Sequence, residues 1–253
     1  MSDAPQYVSG HGLLENKAAV ITAAAGSGIG SATARRFVEE GARVIISDRH
    51  ERRLAEMADE LGVVGVPCDV TDETSVRELV STASEQLGSI DVWVNNAGLG
   101  GSALITEMSD DQWFGVLDVT LTGTFRCLRA VLSHMYEQKS GVVINNASVL
   151  GWRAQAEQAH YAAAKAGVMA LTRCASIEAA DHGVRVNAVA PSLAMHENLS
   201  KVTSDELLVE LTAREALKRA AHPWEISNVM VFLASDYSSY LTGEVISVSA
   251  QHP

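Results

Sequence analysis

The chain has 253 residues, 47% of them hydrophobic, with 19 Lys and Arg against 31 Asp and Glu for a formal net charge of −12. That is enough apolar chain for one sizeable core, and the acidic balance excludes nucleic-acid binding as the main activity, because phosphate contacts need a basic face. No apolar run reaches the roughly 18 residues of a membrane helix, and the 3 cysteines, Cys68, Cys127 and Cys174, give neither a disulfide framework nor a zinc spacing, so no metal site is expected.

Residues 1–12 are polar and lack a charged-then-apolar signal pattern; they read as a flexible lead-in to a single cytoplasmic domain over 13–253. From there short β-like runs alternate with helical stretches. Lys17–Thr22 predicts a strand and Gly28–Gly41 a helix. Arg43–Ser47 (strand), Glu51–Leu61 (helix), Val63–Pro67 (strand) and Asp72–Leu87 (helix) come next, then Ile90–Val94 (strand). One long helical stretch covers Asp110–Gln138. Val142–Asn145 is the next strand, Tyr161–Asp181 a helix and Val184–Val189 a strand. Helical stretches at Ser204–Leu217 and Trp224–Ala234 precede a last strand, Glu244–Val248. Apolar strands alternating with helices predict an α/β fold: a doubly wound parallel sheet of about seven strands with helices on both faces.

The first strand runs into Ala23-Ala24-Ala25-Gly26-Ser27-Gly28-Ile29-Gly30, which opens a helix. Small residues let backbone approach a pyrophosphate, and the helix start offers free N–H groups. The usual dinucleotide spacing of glycines fails here, since Ser31 holds the sixth position from Gly26. A plain tight turn is the competing reading. The second strand ends in Asp48-Arg49. A carboxylate there can accept from both adenosine ribose hydroxyls and repels a 2′-phosphate, which favours NAD over NADP. Asp48 could instead cap the next helix, and Arg49 could accommodate a phosphate.

Ser148 comes just after the fifth strand, and Tyr161 and Lys165 stand at i and i+4 on one helix face. Ammonium beside phenol favours phenolate and brings a proton donor toward working pH. Ser148 would hold the substrate oxygen. Tyr-x-x-x-Lys alone is also an ordinary amphipathic pair; its place after the fifth strand of a nucleotide-type sheet gives it weight.

On these segments, the sequence resembles the short-chain dehydrogenase/reductase family over nearly its whole length. The carrying residues are Gly28-Ile29-Gly30, Cys68-Asp69-Val70, Asn95-Asn96-Ala97-Gly98, Ser148, Tyr161 to Lys165, Val186 to Pro191, Leu233 to Asp236 and Leu241-Thr242-Gly243. The resemblance implies a Rossmann-type fold and a nicotinamide dinucleotide cofactor. Contacts to it are implied for Ala24, Ser27, Gly28 and Ile29 in the turn, for Asp48 and Arg49, and for Asp69 and Val70 at the adenine. They are also implied for Asn96, Ala97 and Gly98, for Tyr161 and Lys165, and for Pro191, Leu193 and Ala194. It further implies a dimer or tetramer, with the Asp110–Gln138 and Tyr161–Asp181 helices at interfaces.

Several positions depart from the family pattern. Its Thr-Gly turn opening is aligned with Ala23-Ala24, its catalytic helix asparagine with Thr120, and two residues after its proline with Ser192 and His196. Thr22 to Gly26, Ala147 to Gln155 and the Gln251-His252-Pro253 ending resemble actinobacterial, steroid-degrading members. That implies a bulky, ring-hydroxylated acyl-CoA alcohol as substrate. Trp152 and Arg153 either touch that substrate or stabilise their loop or a subunit contact. His196, Lys201 and the segment 193–220 form a candidate substrate lid, though surface histidine and lysine are as readily plain solvated groups. Three rival readings stay open. One is a 3-hydroxyacyl- or 3-oxoacyl-thioester enzyme, one a nucleotide-binding sensor without catalysis, and one a serine hydrolase using Ser148 with His160, which lacks the Gly-x-Ser-x-Gly elbow.

Overall fold

A computed structural model of the protein describes residues 5–196 and 205–250. Seven parallel strands form one sheet: β1 (Ala18–Ile21), β2 (Arg43–Asp48), β3 (Val64–Pro67), β4 (Val92–Asn95), β5 (Gly141–Asn146), β6 (Val184–Pro191) and β7 (Val245–Val248). Their spatial order is β3-β2-β1-β4-β5-β6-β7. Chain direction across the sheet reverses between β1 and β4, where Ala19 pairs with Val92 and Ile21 with Val94. A crevice opens beyond the strand ends at such a switch point, and ligands bind there.

Side-chain alternation along each strand splits the core in two. Ile21, Val92, Val94, Val142 and Ile144 face one layer with Phe37, Leu54, Ile226 and Met230. These come from α1 (Ile29–Glu39), α2 (Glu51–Leu61) and α8 (Pro223–Ala234). Val20, Ile45, Trp93 and Val143 face the other with Leu79, Leu128, Val131 and Ala179, from α3 (Glu73–Leu87), α5 (Gly123–Gln138) and α6 (Ala159–Ala180). Cys68 and Cys127 lie in this second layer, and burial raises both thiols, Cys68 to about 11. They serve as small apolar side chains.

The predicted 110–138 helical stretch is continuous but changes pitch within it. α4 (Asp110–Leu117) passes through a π-helical turn, Asp118–Thr122, before α5 begins. A π turn inserts one extra residue into the helix, and this one carries Thr120, whose hydroxyl meets Leu99 in the loop after β4. α7 (Asp205–Arg214) covers part of the predicted lid; Lys201, the rest of 197–204 and Gln251 to Pro253 lie outside the described residues. No helix among the described residues is long and apolar enough to cross a membrane.

Candidate active site

The turn after β1 is organised by a residue earlier than the resemblance placed it. The Thr22 hydroxyl donates to the Val94 carbonyl at 3.2 Å and accepts from Asn96 N at 3.0 Å and Ala97 N at 3.3 Å, tying β1 to β4 across the crevice. Ala23, not Ala24, takes the left-handed conformation (φ 51°) that favours glycine. An alanine thus holds the position of the turn where glycine is favoured. Gly28 caps α1 without any side-chain hydrogen bond, leaving first-turn N–H groups for a ligand. A Cβ on Gly30 would lie 2.4 Å from Asn96 Nδ2 and 2.5 Å from the Ala23 carbonyl. Only glycine permits that approach, and it lets Asn96 Nδ2 donate to the carbonyls of Thr22 (3.2 Å) and Ala23 (3.0 Å).

Asp48 ends β2 with its carboxylate facing the same turn. It accepts from Ala25 N at 3.2 Å and from His50 N at 3.0 Å. Each oxygen keeps a lone pair, so it can still take a ribose hydroxyl. Arg49 is exposed beside it and, with Arg126, helps hold the Asp69 carboxyl low, after the larger effect of two hydrogen bonds from Thr71. Val70 is buried and packs where a Cβ on Gly123 would meet its Cγ2 at 2.8 Å.

Ser148, Tyr161 and Lys165 come together at the tip of β5. Lys165 Nζ lies 5.5 Å from the Tyr161 ring centroid and donates to the Asn146 carbonyl at 2.5 Å. The Ser148 side chain hydrogen-bonds Tyr161 and also accepts from Leu150 N at 3.2 Å. The electrostatics differ from the sequence expectation. Burial raises the Tyr161 phenol above its ordinary value, opposed only by the Ser148 hydrogen bond, and pushes Lys165 down to about 8. Desolvation penalises each charged form and is the larger influence on both groups.

Thr120 is fully buried and its hydroxyl is engaged at both ends of one residue, accepting from Leu99 N at 3.0 Å and donating to Leu99 O at 3.2 Å. With its single proton used on Leu99, it clamps the loop after Gly98 and has no hydrogen left to donate to a relay water. The Thr120 carbonyl accepts from Thr124 Oγ1 at 2.8 Å. A Cβ on Gly98 would stand 3.5 Å from Lys165 Nζ and 3.9 Å from Thr120 Oγ1, so this clamp sets one wall beside Lys165.

On the substrate side, Trp152 is 43% exposed at the end of the short turn after Ser148, and Arg153 N bonds the Val149 carbonyl in the same turn. Beyond Pro191, Leu193 O and Met195 N pair with the backbone of Ala221, which pins the first part of the 193–220 segment and buries Ala194. His196 lies with its ring 3.8 Å from where a Cβ on Gly28 would be, against the phosphate turn. It therefore stands at the start of α1, beside the glycine-rich turn. His160 is buried beside Gly101 and makes no hydrogen bond to Ser148, so no serine–histidine hydrolase pair forms. Among the described residues no cluster fits a metal ion.

Thr22 and Asn146 belong to the site, yet sequence reasoning does not single them out. Thr22 directly follows the first strand, and an Asn-Asn pair at a strand end is a visible signal for the second. The Gly30 cradle, the uncapped α1 start and an unmatched buried acceptor on Asn146 together fit a dinucleotide.

A family profile described as enoyl-(acyl carrier protein) reductase matches residues 23–250. The chain is 59% identical, over 100% of its length and 99% of the relative's, to the (5R,7aS)-5-hydroxy-7a-methyl-1-oxo-2,3,5,6,7,7a-hexahydro-1H-indene-carboxyl-CoA reductase of Mycobacterium tuberculosis. It is 39% identical to the 3-oxoacyl-[acyl-carrier-protein] reductase of Thermotoga maritima, covering 93% and 97% of the two chains. A crystal structure of a short chain dehydrogenase from Mycobacterium smegmatis superposes with a TM-score of 0.89 at 52% identity, covering 100% and 99%. The chain belongs to the short-chain dehydrogenase/reductase family, whose members are oxidoreductases that use NAD(P).

Proposed function

We propose that the protein transfers a hydride between NAD(H) and a secondary alcohol or ketone on a bulky ring carried as a CoA thioester, a remnant of steroid C/D-ring breakdown. The observation that carries the reaction is the meeting of Ser148, Tyr161 and Lys165 at the β5 tip, beside the Thr22–Gly30 turn. The substrate class is supported by the 59% full-length identity to a CoA-thioester ring reductase.

The bound nicotinamide supplies or accepts the hydride. The Ser148 hydroxyl donates to the substrate oxygen as charge develops there. Tyr161 Oη gives that oxygen its proton in reduction and removes it in oxidation. Lys165, anchored on the Asn146 carbonyl, keeps a positive charge near both the phenol and the cofactor ribose. Trp152 offers an aromatic face for the ring system, and Arg153 a cation for an anionic part of the thioester.

Asp48 supports NAD. Arg49 supports NADP as a second reading, because a guanidinium beside the ribose site can hold a 2′-phosphate. We read the enzyme as a cytoplasmic homo-oligomer, dimer or tetramer, acting on a small molecule. The test is nucleotide absorbance at 340 nm with NAD and NADP against ring-hydroxylated and linear 3-hydroxyacyl-CoA thioesters at equal concentration. Faster turnover of the ring substrate with NAD is expected. Preference for the linear thioester overturns the substrate, and strong preference for NADP overturns the role of Asp48.

A further inference from the structure

We infer that Asn146 is a cofactor-positioning residue whose side-chain carbonyl accepts a hydrogen bond from the nicotinamide-riboside half of the dinucleotide. This rests on the proposed use of a dinucleotide. Asn145 and Asn146 end β5 on opposite sheet faces and meet different fates. Asn145 is fully buried and engaged at both ends, accepting from Asn95 Nδ2 at 2.8 Å and donating to Thr172 Oγ1 at 2.9 Å. Asn146 donates through Nδ2 to Asn96 Oδ1 at 2.9 Å, while its Oδ1 is buried with no partner.

The orientation of these amides is set by their partners. Both acceptors of Asn96 Nδ2 are backbone carbonyls, so Asn96 must turn its NH2 toward them and its oxygen toward Asn146. Asn146 must then donate to that oxygen, which leaves its own carbonyl facing away as an acceptor. A buried acceptor without a donor is a standing cost in the free protein and a ready partner for a ligand N–H or O–H.

Position selects the ligand. Through Asn96, the Asn146 side chain is two hydrogen bonds from the Ala23 carbonyl of the phosphate turn. Its own backbone carbonyl holds Lys165 Nζ, and Ser148 stands two residues on. A dinucleotide spanning phosphate turn and catalytic tyrosine lays its nicotinamide ribose and ring across this point, whereas Asp48 lies at the adenosine end. Donors on the nicotinamide half are the ribose hydroxyls and the carboxamide NH2. A side-chain change at 146 leaves the backbone carbonyl, and so the Lys165 contact, in place.

The test is calorimetric binding of AMP, ADP-ribose, NAD and its 3-acetylpyridine analogue to wild-type protein and Asn146→Ala. NAD affinity is expected to fall about five- to tenfold, the effect of one hydrogen bond, with AMP affinity unchanged. An equal fall for ADP-ribose assigns the donor to the ribose. No fall for ADP-ribose assigns it to the carboxamide, in which case the acetylpyridine analogue, whose methyl ketone has no N–H, binds both proteins alike. Unchanged NAD affinity overturns the inference, as does equal weakening of AMP and NAD, which would mark a general disturbance through Asn96. If the alanine variant does not fold, Asn146→Ser, too short to reach the same point, gives the same comparison. Wild-type protein that binds none of the four overturns the use of a dinucleotide itself.

Discussion

Lys165 is 3% exposed and its amine is depressed to about 8 by burial. Its ammonium therefore persists at neutral pH and is lost through about pH 8, while the raised Tyr161 phenol keeps its proton. We expect kcat/KM for ketone reduction to hold level toward pH 7 and to fall above about pH 8. Lys165→Arg keeps the charge at all these pH values and should move that fall upward; a fall at the same pH in both proteins would count against Lys165 as its source. Because the folded value lies below the unfolded one, folding sheds a proton between about pH 8 and 10.5, and the lysine's contribution to stability rises with pH across that window. At neutral pH its burial costs on the order of 3 kcal/mol, so Lys165→Met should melt higher while losing activity. Serine, tyrosine and lysine are readable in the sequence because their spacing along one strand end and one helix is itself the signal. The phenol's raised pKa is not, since it depends on how deeply neighbouring elements bury the group.

Among the elements, α1 shows how the phosphate turn is held. Glu40 caps its C-terminal end at 1% exposure, accepting from Arg36 Nη2 at 2.7 Å, His11 N at 2.8 Å and Leu13 N at 3.0 Å. Burial alone would raise the Glu40 carboxyl, but those backbone bonds and Arg36 bring it below its usual range. Arg36 also bonds Glu39 and the Val8 carbonyl, and Tyr7 packs edge-on against Trp224 at the start of α8. These contacts join the lead-in segment, α1 and α8 on one face. Glu40→Ala takes the Nη2 partner from buried Arg36 and the acceptor from two backbone N–H groups, and should cost about 3–5 kcal/mol in urea unfolding; a loss below about 1 kcal/mol would contradict the assignment. Strands and most helices are readable from apolar period and breaker residues. The π turn at 118–122 is not, because no apolar period or breaker residue marks it; its Thr120 bonds Leu99, which is remote in sequence.

Across the whole molecule, sheet order results from alternating strands and right-handed crossovers, which is why the doubly wound architecture can be written from sequence alone. Assembly cannot, because it depends on which faces remain uncovered. Phe114, Phe125 and Ile177 are 62%, 42% and 78% exposed on α4, α5 and α6. Large apolar groups on neighbouring helices suit an isologous subunit contact. Light scattering should give a dimer or tetramer mass, reduced by Phe125→Glu with Ile177→Glu; a wild-type monomer would refute this. The site as a whole stands or falls on Tyr161 moving the proton while a neighbouring nucleotide moves the hydride. Tyr161→Phe, assayed with the ring-hydroxylated CoA thioester and NAD beside an NADH titration, addresses that directly. Turnover should drop by about 10²- to 10⁴-fold with NADH bound as tightly as by wild type, whereas turnover within about tenfold of wild type would contradict it.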